Sequence, residues 1–160
     1  ERDALACMAT HDLPTLRGWW SGSDLDDREA IGMDDPSSVT AHRIQRSADR
    51  QLMIAAPTET GLLPDSLSGL APEEPVPPGD LAQDTAIALT RFLARTPCRL
   101  VAIQLEDLAG MRDRANLPGT VNEHPNWRRK LAVTLGELES APDFKAITQA
   151  MAEERPRSDA

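Results

Sequence analysis

The sequence predicts an α/β chain in which two short parallel strands, separated by helices, form the last part of a larger parallel sheet. Residues 4–9, ALACMA, are apolar and run straight into Thr10-His11-Asp12, as a buried strand delivering polar residues at its C-terminal end would. Within CRLVAIQLEDLAG, residues 98–110, the stretch from Leu100 to Leu105 is again apolar, carries β-branched residues and ends in acids. Two parallel strands do not make a stable sheet by themselves, because both faces and both edges need cover. The choice is therefore between a helical domain without true strands and the end of a larger sheet. Polar residues after both strands favour the sheet, since alternating strand–helix barrels keep their chemistry at that end.

The remaining elements follow in order. Pro14 suits the first turn of a helix with Asp12 or Leu13 at its cap, and TLRGWWSG breaks off at Gly22. DLDDREAIGMDDP, residues 24–36, is acidic and loop-like. Residues 37–56 begin with serines and place Val39, Ile44, Ala48, Leu52 and Ala55 or Ala56 at helical spacing; Pro57 is expected to end that helix. Residues 60–80 are rich in Pro and Gly and read as a connector with at most short helical turns. Asp80 to Ala94 is a second helix, with Leu81, Ala86, Leu89 and Leu93 along one face. A loop, MRDRANLPGTVNEHP, leads to a short helix at NWRRKL, and a final helix runs from Pro142 to Glu154. The polar tail, residues 153–160, is expected to be disordered.

Acids outnumber Lys and Arg by 26 to 17 among 160 residues, a net charge of -9 that repels phosphate backbones and argues against a nucleic-acid partner. No apolar run approaches the roughly 20 residues needed to cross a bilayer. The start, ERDALACMATHD, sets no basic region ahead of a hydrophobic block, so neither a signal peptide nor a membrane is expected and the location is read as cytoplasmic. A start without Met that enters an apolar run almost at once reads as a piece of a longer chain. Cys7 and Cys98 lie in or beside apolar segments and are expected to be buried thiols, not a disulfide. With three Trp, two Phe and no Tyr, Trp19, Trp20 and Trp127 are nearly the only side chains able to stack on a ring.

His11-Asp12 admits two readings. Asp12 caps a helix while His11 packs, or Asp12 is a carboxylate at a barrel mouth that grips sugar hydroxyls and favours an oxocarbenium-like transition state. A neighbouring His suits the second, donating from a ring nitrogen. A metal-dependent phosphohydrolase would need further His and Asp ligands; His42 sits on a helix and His124 in a distant loop, so no metal is expected. In RANLPGTVNEHPNWRRKL, residues 114–131, LPGT is a tight loop and Asn116 either merely decorates it or reaches over a pocket. A third possibility for the whole chain is a non-enzymatic, acidic helical interaction module.

Taken together, MATHDLPTLRGWWSGSDL and ANLPGTVNEHPNWRRKL resemble the C-terminal signatures of bacterial 4-α-glucanotransferases, the amylomaltases of glycoside hydrolase family 77. SADRQLMIAAPTETGLLP resembles the helical insertion of the maltose-system members, and RLVAIQLEDLAG their last barrel strand. The resemblance covers residues 5 to 140 in order. It implies the C-terminal portion of a (β/α)₈ TIM barrel, strands seven and eight, within residues 1–152, with a helical insertion at about 37–79. It implies transfer of α-1,4-glucan segments between maltooligosaccharides by a retaining double displacement, without cofactor or metal. Asp12 matches the transition-state-stabilising aspartate, His11 the adjacent sugar-binding histidine and Asn116 an asparagine lining the same subsite. Asp107 matches an acidic position after strand eight and is read as supporting, not catalytic. Trp19, Trp20 and Trp127 are expected to pack in the core. The nucleophilic Asp and the acid/base Glu of the family lie on earlier strands, so this chain is expected to be inactive without the missing N-terminal part of the barrel.

Overall fold

The computed structural model describes residues 2–62, 64–68 and 75–156. Two three-residue strands, β1 (Leu5–Cys7) and β2 (Leu100–Ala102), pair in parallel in the register Leu5 to Leu100, Ala6 to Val101 and Cys7 to Ala102. Both are shorter than the apolar runs that predict them. The chain leaves the second ladder at Ile103, and Gln104 already caps a helical turn. Leu5 and Leu100 are 58% and 64% exposed, so the outer surface of this two-stranded sheet is uncovered. Cys7 is exposed on β1, against the expectation of a buried thiol, and neither cysteine forms a disulfide.

Between the strands come α1 (Leu16–Ser21), α2 (Ser23–Ala30), α3 (Pro36–Glu59), a 3₁₀ turn (Asp65–Leu67) and α4 (Gln83–Ala94); after β2 follow α5 (Leu105–Leu108), α6 (Leu135–Leu138) and α7 (Pro142–Glu154). The acidic stretch expected to be a loop contains α2. Its acids at Asp24 and Asp26 fall in the first turn, where the helix dipole favours negative charge. Pro57 does not end α3, which runs on to Glu59. Lying in the last turns, Pro57 offers its own carbonyl to the N–H groups of Thr60 and Leu62 and so builds the helix terminus. No helix forms at NWRRKL, where a turn at 126–128 gives way to irregular backbone.

The core gathers Leu16 and Trp20 of α1, Val76, Leu81, and Ala86 and Leu89 of α4, with Met8, Trp19, Met53 and Ile54 packed against them. Arginines of α3 tie this helix to α1 and α2. Arg46 grips Asp24 with two 2.9 Å hydrogen bonds and lies 4.5 Å over the Trp19 ring, while the buried Arg50 donates to the Trp20 carbonyl at 2.7 Å. The tryptophan pair is thus a packing device, as expected. At the other side α7 lies along α4, joined by Arg91 and Arg95 to Glu153 and Glu154. Arg155 donates to the carbonyls of Ala94, Thr96, Cys98 and Arg99. Ordered structure therefore continues past the expected tail boundary at 153; residues 157–160, like 63 and 69–74 of the connector, lie outside the described residues. Among the described residues no helix is long and apolar enough to cross a membrane.

Candidate functional site

Because β1 and β2 are parallel, the segments that follow them emerge at one end of the sheet. After β1 the chain folds into a turn closed by the Leu13 N–H on the Thr10 carbonyl at 2.9 Å. Asp12 stands in this turn and does not cap α1. The cap is Thr15, whose hydroxyl accepts the Gly18 N–H at 3.0 Å and donates to the Arg112 carbonyl at 2.9 Å. Pro14 accordingly precedes the cap instead of occupying the first helical turn. Relieved of capping, the Asp12 side chain is 51% exposed, with His11 Nε2 3.4 Å from its Oδ2.

The other half of the site comes from the segment after β2. Leu117–Thr120 is a turn with Pro118 at its second position and Gly119 at φ +85°, the left-handed conformation that a type II turn requires at its third. Asn126 locks this loop: its Oδ1 accepts the Leu117 N–H at 2.8 Å and its Nδ2 donates to the Thr120 hydroxyl at 2.7 Å. Leu117, 1% exposed, roots it in the protein. The rigid loop holds out Asn116, whose Nδ2 donates to Asp12 Oδ1 at 2.7 Å across 104 residues of sequence. Three of the residues singled out in the sequence, His11, Asp12 and Asn116, therefore meet.

Asp107, the fourth, does not join them. It is buried at the start of α1, where its Oδ1 accepts the Leu16 N–H at 2.7 Å. Burial pushes its carboxyl up to about 6, against which the Leu16 N–H works only in part. Its place is at the first turn of the helix that follows the Asp12 turn, which it holds through that bond.

Comparison with known proteins adds to this geometry. The sequence model of the family described as 4-alpha-glucanotransferase matches residues 1–134. The chain belongs to this family. It is 37% identical over 124 residues to the 4-alpha-glucanotransferases of Mycobacterium bovis and Mycobacterium tuberculosis, covering 78% of this chain and 16% of each relative. The Haemophilus influenzae 4-alpha-glucanotransferase is 32% identical over 150 residues, covering 91% of this chain and 20% of that protein. The fold resembles that in the crystal structure of amylomaltase from Corynebacterium glutamicum, with TM-score 0.78 and 24% identity over 94% of this chain and 22% of that one. The chain thus spans about one fifth or less of the relatives it matches. Family membership does not favour the alternative of a non-enzymatic module.

Two features of the site escape a reading of the sequence. The first is a cleft of about 360 Å³ that starts at Asp12, Leu13 and Pro14 and runs between α2, α3 and the Asn116 loop. Its wall holds Asp24 between Arg46 and the buried Arg114, whose Nη2 lies 3.6 Å from the carboxylate. No local motif links these residues, which are separated by 22 and 90 positions. The second is Trp127, expected in the core but 64% exposed. Its backbone is left-handed at φ +59°, at a cost of about 1–2 kcal/mol for a non-glycine residue, and its N–H is held by the Ala115 carbonyl at 2.9 Å. The flanking HPN and RRK leave it without an apolar neighbour until Leu131, a signal that it is not a core residue.

Proposed function

We propose that this chain is the C-terminal part of the catalytic barrel of a cytoplasmic 4-α-glucanotransferase, its β1 and β2 serving as strands seven and eight and residues of about 37–79 as a helical insertion. In this reading the enzyme moves an α-1,4-glucan segment from one maltooligosaccharide to another by a retaining double displacement. The nucleophile and the acid/base carboxyl come from the part of the barrel outside these 160 residues, without which this segment is inactive. The observation that carries the reading is the meeting of Asp12 with His11 and Asn116 on one exposed rim.

The chemistry follows from the donors and acceptors. Asn116 occupies Asp12 Oδ1 and sets the plane of the carboxylate; Oδ2, 3.4 Å from His11 Nε2, keeps lone-pair capacity to accept from hydroxyls of the sugar at the cleavage point. As the glycosidic bond lengthens, positive charge spreads over the ring carbon and oxygen, and a fixed carboxylate at the ring stabilises that state more than the ground state. His11, 59% exposed, supplies a ring N–H or a lone pair to the same hydroxyls. Asp107 supports the arrangement through its hold on α1.

Asp12→Asn in the full-length enzyme tests this directly. Maltotriose is supplied, and glucose and longer maltodextrins are followed. Transfer is expected to fall by about 10²–10³, the range for loss of a transition-state-stabilising group, while the melting temperature holds. Transfer at the wild-type rate, or a loss explained by unfolding, overturns the assignment of Asp12.

A further inference from the structure

The geometry points to Trp127 as a platform on which a glucose ring of the bound glucan stacks, beside the carboxylate that grips its hydroxyls. The inference rests on the proposed function and adds to it a binding surface and a second kind of contact. Trp127 lies against His11, ring centroids 5.2 Å apart and planes inclined by 51°, so the indole joins the rim formed by His11, Asp12 and Asn116. The tilt leaves the indole largely open, and 64% of the residue is exposed.

Packing among the described residues does not account for its position. The deeply buried residue of the loop is Leu117, and the loop's own closure is provided by Asn126 with Leu117 and Thr120. Trp127 is held outward instead, by a left-handed backbone and one hydrogen bond to the Ala115 carbonyl, immediately before Asn116. The same short loop therefore sets both the amide that orients Asp12 and the indole beside it.

The class of ligand follows from this pairing of surfaces. A pyranose presents C–H groups on its faces and hydroxyls around its edge, so one ring needs an apolar flat surface beneath it and planar polar groups beside it. Trp127 supplies the first; Asp12, Asn116 and His11 supply the second. An anionic ligand is repelled by the Asp12 carboxylate, and a wholly apolar one leaves the three polar groups unmatched. A neutral sugar satisfies both.

The test uses full-length enzyme carrying Trp127→Ala or Trp127→Phe. Maltotriose and maltoheptaose binding is measured by titration calorimetry, alongside transfer kinetics and thermal melting. Replacement by Ala is expected to weaken binding about tenfold and raise KM in step, at an unchanged melting temperature; Phe is expected to stay within about threefold of wild type. Equal affinity in wild type and the Ala variant overturns the platform and leaves the proposed function standing. A melting temperature lowered in both variants, or failure of the Ala variant to fold, makes Trp127 structural and also overturns it. A wild type that binds neither sugar overturns the proposed function and the platform together.

Discussion

Residues 10–13 and residues 15–18 are neighbours in the chain, and both reach across to the segment that follows β2, but they do so in opposite ways. The first group makes an open rim: Asp12 meets Asn116, and His11 lies beside Trp127, with all four side chains partly or largely accessible. The second makes a buried seam: the Thr15 hydroxyl on the Arg112 carbonyl, the Leu16 N–H on Asp107, and Gly18 pressed against the Arg112 backbone. Each region contains an aspartate placed after an apolar strand. One is exposed and oriented by a neutral amide; the other is buried and spent on a backbone N–H. The contrast shows how a fixed scaffold and an accessible site are made from a single short segment. Groups that hold the fold are satisfied internally, and those at the rim keep spare hydrogen-bonding capacity.

Substitutions in the full-length enzyme separate the two regions. The largest effect on stability belongs to Gly18→Ala, because a Cβ there lands on the Arg112 carbonyl oxygen. Forcing α1 away from the seam is expected to cost about 3 kcal/mol in denaturant melts. Next is Asp107→Asn, which keeps an acceptor for Leu16 and removes the charge. The folded-state carboxyl titrates at about 6, above its ordinary 3.8, so wild-type stability from this group is fully present below pH about 4 and is lost as pH rises through about 6. That loss is about 3 kcal/mol, and the Asn variant should lack it, gaining relative to wild type at pH 7 to 8. Melts of both proteins from pH 4 to 8 check the sign. On the proposed function, Asn116→Ala, at the rim, is expected to slow transfer about tenfold through a misoriented Asp12 while leaving the melting temperature in place. A rim substitution that acted chiefly on stability, or a seam substitution that acted only on rate, would erase the distinction.

The sequence already reveals elements whose signals are local. The final helix has Pro142 at its first position and matches its expected limits, and Gly22 at φ +86° stops α1 where a glycine is needed. LPGT likewise specifies its turn through Pro118 and Gly119. The misreadings have physical causes. Acids at 24–26 look like loop residues until their place at a helix N-terminus is known, and Pro57 removes one intrahelical bond without ending α3, which closes two residues later through the Pro57 carbonyl. The Asp12 question is only partly local: Thr15 caps α1 through Gly18, three residues on, but where the freed Asp12 carboxylate goes depends on Asn116, 104 residues away. For the same reason the motifs at 11–12 and 116 identify the candidate site individually, whereas its second wall, Asp24 with Arg46 and Arg114, and the outward Trp127 emerge only from tertiary packing.

The long-range contacts that complete the rim and the seam join partners about 90 to 120 positions apart: His11 with Trp127 by 116, Asp12 with Asn116 by 104, Thr15 with Arg112 by 97, Leu16 with Asp107 by 91. Closing a loop of that length costs entropy before any contact repays it, and chains dominated by such separations fold slowly. The helices between can form early from local signals. The mouth of the site, by contrast, is expected to assemble after them, because it cannot close during synthesis until the Asn116 loop has left the ribosome.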